Sequence, residues 1–166
     1  MKTRILSIIL LAVMLIPMTI LTACGESASY ASDIAVTELS AAADAKLPDP
    51  DDFATMTSDY IVGMMEIDTS AFADYAVKLR ASGANIDEYG IFKAPTEADV
   101  AGVEATVKAY LAKRVESWMP EYMPEEFPKM QAATVKVMGQ YVVYCILSED
   151  VKTEVFTAIE NILLGK

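Results

Sequence analysis

The sequence predicts an α+β fold: a small antiparallel sheet of about four strands, built as two hairpins, packed with helices and preceded by a signal peptide. Three observations predict it. Stretches around residues 73–94 and 133–147 change to two-residue periodicity about turn-forming residues. Apolar stripes at three- and four-residue spacing lie before, between and after them. A basic start and a long apolar run stand ahead of everything else.

Lys2 and Arg4 make the basic start, and Ile5 to Ile20 is apolar apart from Ser7, Pro17 and Thr19. The run is shorter than the ~20 residues a membrane-spanning helix needs, and it lacks the recurring polar positions of a globular helix, so it reads as an export signal over 1–23. Leu21, Thr22, Ala23 and Cys24 resemble the lipobox of bacterial lipoproteins. Small side chains suit a protease cleft, and a thiol is the nucleophile that takes a diacylglyceryl group. The resemblance implies that Cys24 opens the mature chain and carries acyl chains such as palmitate. Two chains at ~0.8 kcal/mol per buried methylene hold a protein on a membrane where one would not. The rival reading is cleavage after Ala23 with a free thiol. Residues 24–33 then form a lipidated cysteine and a small, polar, flexible tether, and 34–166 a single domain.

Charge and residue counts exclude several functions. Beyond Cys24 lie all 24 acidic residues and 11 basic ones, a formal charge of −13 (11 − 24). Nucleic acid and anionic lipid surfaces are therefore poor partners, whereas cationic peptides, basic protein patches and metal ions are permitted. Such charge also serves solubility alone. With no histidine and, beyond Cys24, only the thiol of Cys145, the chain offers no Ser-His-Asp or Cys-His machinery, no His-containing zinc site and no disulfide. Cys145 in "YVVYCIL" reads as a buried apolar thiol. No cofactor or metal site is expected.

The domain elements follow in order. Val36, Leu39, Ala43 and Leu47 predict a helix over about 34–45, ended by the proline-punctuated turn "LPDPDD"; its aspartates lack the further ligands and glycine of a calcium loop. Thr57 to Ile67 predicts a short helix with Tyr60, Met64 and Ile67 on one side and Ser58 or Asp59 near its start. Ala73, Tyr75, Val77 and Leu79 alternate with polar residues as a strand, "SGAN" turns the chain, and "IDEYGIFKA" returns as its partner. Thr96 and Asp99 form a capping pair for a helix of some two dozen residues with Val100, Val103, Val107, Tyr110, Leu111 and Trp118 in its stripe, broken at Pro120. "WMPEYMPEEFPKM" reads as one or two short turns. Val135 and Val137 alternate in a third strand, Gly139 and Gln140 turn it, and Tyr141 to Leu147, apolar on both faces, is an interior strand. Ser148, Glu149 and Asp150 start a last helix buried through Val151, Val155, Ile159, Ile162 and Leu163 and stopped by Gly165.

The cysteine anchor, "DEYGIFKA", the helix carrying "KRVESW", "YMPEEFP" and "VMGQYVVYCILSED", in that order over about residues 34–164, resemble the bacterial lipoprotein family filed as domain of unknown function 4358. The resemblance implies an exported, membrane-anchored protein with no assigned activity. It also implies a glutamate in the second strand, Glu88, and a tyrosine in the last, Tyr141.

Three function classes stay open. A binding or accessory module for an envelope protein or wall ligand, working from the outer face of the cell membrane, is the reading carried forward. Trp118, Tyr122 and Phe127, set among Glu121, Glu125 and Glu126, would give it a stacking and acidic surface, unless the rings fold onto the core. Glu88 either faces solvent or turns inward, where it must be paired, with Arg114 the partner in view. The alternatives are a cell-wall hydrolase using two carboxylates, for which no distinguishing pair stands out, and an oligomeric structural lipoprotein contacting itself through Met64, Met65, Met119, Met123 and Met130. The sequence leaves the oligomeric state open.

Overall fold

A strand that is apolar on both faces needs cover on both sides, and this requirement sets the layering. The computed structural model describes residues 29–82, 85–119 and 121–166. The predicted signal segment and Cys24 lie outside them. In chain order the elements are α1 (Val36–Asp44), β1 (Phe53–Thr55), α2 (Ser58–Met64), β2 (Asp74–Arg80), β3 (Glu88–Lys93), α3 (Val100–Glu116), α4 (Phe127–Gln131), β4 (Thr134–Met138), β5 (Tyr141–Ile146) and α5 (Glu149–Leu163).

The strands form one antiparallel sheet of order β1-β2-β3-β5-β4. Both expected hairpins are present, but the sheet has five strands rather than four. The extra one, β1, follows the proline turn directly and has three residues, too few to show a period. Every residue of β5 is buried. Tyr89, Ile91, Tyr141, Val143 and Cys145 point to one face and pack under α1 and α5 with Val36, Leu39, Ala43, Val155, Ile159 and Leu163. Val77, Phe92, Val142, Tyr144 and Ile146 point to the other, under α3 with Val103, Val107, Tyr110 and Leu111, and with Ile61 and Met130. The result is a three-layer helix–sheet–helix sandwich.

Several elements differ from expectation in detail. In α2 it is Ile61, with Met65 and Ile67 just beyond, that reaches the core, while Met64 is 72 % exposed and Tyr60 half-buried. The cap is Thr57, whose Oγ1 accepts the Tyr60 N–H at 3.3 Å. α3 is 17 residues long and begins a turn late, because Thr96 donates to the Asp99 carboxylate at 2.7 Å rather than serving the backbone, and a 3-10 turn at Glu97–Asp99 intervenes. At the end of α5, Gly165 has φ +67°, its N–H bonds Ile162 O, and Lys166 N–H bonds Asn161 O, a Schellman stop that needs glycine. The stretch expected as a tether is held from Tyr30 onward: Tyr30 Oη donates to Glu160 at 2.8 Å, Ala31 N–H to Leu163 O, and Tyr141 Oη to Ile34 O at 2.6 Å.

Candidate functional site

Glu88 starts β3 on the face that α3 covers, and it is 1 % exposed. A carboxyl group so placed must have its oxygens satisfied. Tyr110 Oη donates to Oε1 at 2.6 Å, Tyr144 Oη to Oε1 at 2.5 Å, and Arg114 Nη1 to Oε2 at 2.7 Å. Arg114 Nη1 also donates to Tyr110 Oη at 2.7 Å. The helix supplies two of these partners because residues four apart share a face. The sheet supplies the third because Tyr144 lies opposite Gly90, two residues along β3 from Glu88. Burial first, then the Glu88 charge, pushes both tyrosine hydroxyls well above the ordinary phenol range. Burial works against the Arg114 cation, but Glu88 and Tyr110 outweigh it and its pKa is raised.

This buried group reaches the surface through Arg114, whose side chain is 28 % exposed. Arg114, Tyr110, Lys113 and Ser117 of the α3 end line a notch of about 70 Å³ with Met64 and Met65. It adjoins a cleft of about 300 Å³ between α3 and Met65–Ile67, floored by Tyr110 and edged by Thr106 and Ala109. Glu66 sits on the rim with φ +56°, a left-handed conformation that costs a non-glycine residue on the order of 1 kcal/mol, and it pairs with Lys113.

The structure thus brings Glu88 and Arg114 together. It also stacks Trp118 on Phe127, ring centroids 5.9 Å apart, but both lean on the α3-side core. Trp118 Nε1 is buried without a partner among the described residues. Tyr122 stands apart, 63 % exposed. The three rings therefore do not form one open stacking face. Glu126, read as part of that acidic surface, accepts from Ile86 N–H and from Lys129, which also bonds Asp87, so it fastens α4 to the loop before β3. Among the methionines, Met65 and Met130 are core residues, Met123 is half-buried, and Met64 and Met119 are exposed.

Sequence reasoning missed Tyr110 and Tyr144 as partners of Glu88. The available signal was the four-residue offset of Tyr110 from Arg114. It also missed a second buried polar group on the opposite face, where Tyr89 Oη donates to Asp44 at 2.7 Å and lies 2.8 Å from Ser40 Oγ, while Lys78 bonds Asp44 at 2.5 Å. Cys145 is buried, and burial pushes its thiol pKa up against the opposing pull of Lys152 and Lys136. Asp49 and Asp52 of the proline turn pair with Arg80. Among the described residues no helix is long and apolar enough to cross a membrane.

Residues 51–147 match the family described as Domain of unknown function (DUF4358). The chain belongs to this family. The DUF4358 span is narrower than the 34–164 over which the resemblance was read: it holds all five strands with α2, α3 and α4, and leaves out α1 and α5. Glu88, Tyr110, Arg114 and Tyr144 all fall inside the DUF4358 span, whereas Ser40 and Asp44 of the second polar group do not. Tyr141, the other residue the resemblance pointed to, ties the N-terminal stretch to the sheet. No curated protein and no solved structure matches the chain.

Proposed function

We propose that the chain is an exported lipoprotein held through Cys24 on the outer face of a bacterial cell membrane, and that its domain is a binding or accessory module using the cleft between α3 and the Met65–Ile67 segment that follows α2. The anchor reading rests on Lys2, Arg4, the apolar run to Ile20 and the "LTAC" ending at Cys24. The binding reading rests on one observation: Arg114, pinned from behind by Glu88 and Tyr110, lines an open notch with exposed Met64. A cation fixed in place beside adaptable apolar side chains is what a recognition site requires. The same geometry weighs against a carboxylate hydrolase here, since the Glu88 oxygens already take three donors and water has almost no access.

Cys24→Ser, expressed with a labelled fatty acid, tests the anchor. Wild type carries the label and sediments with membranes, and the variant does neither; a label-free wild type refutes it. For the cleft, small acids, amides, amines and sugars are screened by saturation-transfer NMR against wild type and Ala109→Trp, an exposed position whose new ring fills the cleft. Hits lost in the variant support the module. An absence of hits, or hits indifferent to the substitution, refutes it.

A further inference from the structure

Arginine carries five N–H donors in a planar fork. In Arg114 both donors of Nη1 are occupied, one by Glu88 Oε2 and one by Tyr110 Oη, each at 2.7 Å. Among the described residues, Nε and Nη2 have no acceptor. These two nitrogens form the side-on edge of the guanidinium, the edge that takes a carboxylate through two parallel bonds. The ring of Tyr110, 5.7 Å from Arg114 Cζ, and the bonds to Nη1 fix the plane of that edge, so little side-chain entropy remains to be lost on binding.

We propose that the notch binds the free carboxylate of a small ligand bearing an aliphatic group, with the carboxylate on the Nε–Nη2 edge of Arg114 and the aliphatic group against Met64 and Met65. This rests on the reading of the cleft as a binding site. Charge selects a carboxylate over a phosphate. Glu88 neutralises Arg114 and Glu66 neutralises Lys113, so the site offers directed N–H donors without net positive charge, and a doubly charged phosphate is disfavoured more than a singly charged carboxylate. Size agrees, because a notch of about 70 Å³ has room for a carboxylate group, and the adjoining cleft has room for a side chain or a short peptide end. The apolar preference comes from Met64 and Met65, whose adaptable thioether side chains line the notch beside Arg114.

The test uses the full mature chain in detergent micelles, labelled with 15N-arginine. On the anchor reading Arg4 leaves with the signal, so Arg80 and Arg114 give two Nε–H resonances, and Arg114→Lys assigns them. The probes are N-acetyl-leucine, N-acetyl-leucinamide, acetate and inorganic phosphate. The expected result is saturable movement of the Arg114 Nε–H resonance by N-acetyl-leucine, with the amide, acetate and phosphate each at least tenfold weaker. Met64→Ser, a neutral change at an exposed position, weakens N-acetyl-leucine at least fivefold and leaves acetate within twofold. Equal binding of acid and amide, or equal binding of phosphate, overturns the carboxylate proposal yet leaves the cleft a binding site. No movement of the Arg114 resonance, while other fragments still compete for the cleft, overturns it in the same selective way. If nothing enters the cleft at all, the module reading falls with it.

Discussion

Gly90 is the residue on which the buried site turns, and Gly90→Ala tests the packing that holds it. A Cβ built at Gly90 lies 2.2 Å from Tyr144 Cε1, 2.9 Å from Cζ and 3.0 Å from Cδ1, where carbon pairs rest at ~3.5–4.0 Å. The ring has nowhere to retreat: it is fully buried, stacked on Phe92 at 6.2 Å, met edge-on by Tyr110 at 5.8 Å, and bonded to Glu88 at 2.5 Å. Overpacking costs about 1–3 kcal/mol. A disturbed hydrogen bond to a charged group adds about 1.5–3 kcal/mol. Alanine's lower unfolded-state entropy returns about 0.5–1 kcal/mol. The net loss is about 3 kcal/mol, which at a urea m-value of ~2 kcal/mol/M lowers the unfolding midpoint by about 1.5 M. In a Tyr144→Ala background the ring is gone, and the same substitution becomes neutral or stabilises by up to ~1 kcal/mol. The double-mutant cycle therefore gives a coupling of about 3–4 kcal/mol. A Gly90→Ala cost below ~1 kcal/mol in wild type, or an equal cost in both backgrounds, refutes the reasoning.

Three further outcomes follow from the polar groups. Glu88→Gln leaves Arg114 without its counter-charge and turns an amide donor toward it; since Arg114 reaches water, the loss falls below the ~3–5 kcal/mol of a fully enclosed pair, at about 2–3 kcal/mol by urea unfolding. Burial is the chief cause that keeps the Tyr89, Tyr110 and Tyr144 hydroxyls protonated above the ordinary phenol range in the folded state. Their stabilisation is complete below pH ~10 and is lost as pH rises beyond it, because only the unfolded chain releases the protons; at about 1.4 kcal/mol per pH unit each, the three together take away ~4 kcal/mol per unit, and a stability flat between pH ~10 and ~11 contradicts this. Cys145 in Cys24→Ser, buried and with its thiol pKa raised, reacts with a disulfide reagent only at the rate of unfolding, so labelling that is fast in water and unchanged by urea contradicts its placement.

The elements that could be read from sequence are those whose burial is one-sided or complete over several residues. α5 carries Val155, Ile159 and Leu163 at helical spacing beneath a clear start and a glycine stop, and β5 is apolar throughout, so both announce themselves. α2 does not. Its seven residues hold one fully buried position, Ile61, and an exposed Met64 that hydropathy alone assigns inward. β1 is hidden for a related reason, since three residues paired to the end of β2 carry no period at all. β2 shows a limit of another kind: Lys78 and Arg80 look like solvent positions, yet both lie over the α1 side in ion pairs with Asp44 and with Asp49, Asp52 and Asp87.

The site was legible only as far as charge is legible. A glutamate in parity with Phe92 invites a cationic partner, and Arg114 was the one the sequence put forward; parity and charge are both local properties. The tyrosines were not legible because their role depends on register. Tyr144 meets Glu88 only because β3 pairs with β5 so that Gly90 lies opposite it, and a slip of one residue would send its hydroxyl to the other face. Glycine at 90 is then the trace that this arrangement leaves in the sequence: the one position of β3 without a side chain is the one over which the tyrosine ring lies on its way to the carboxylate.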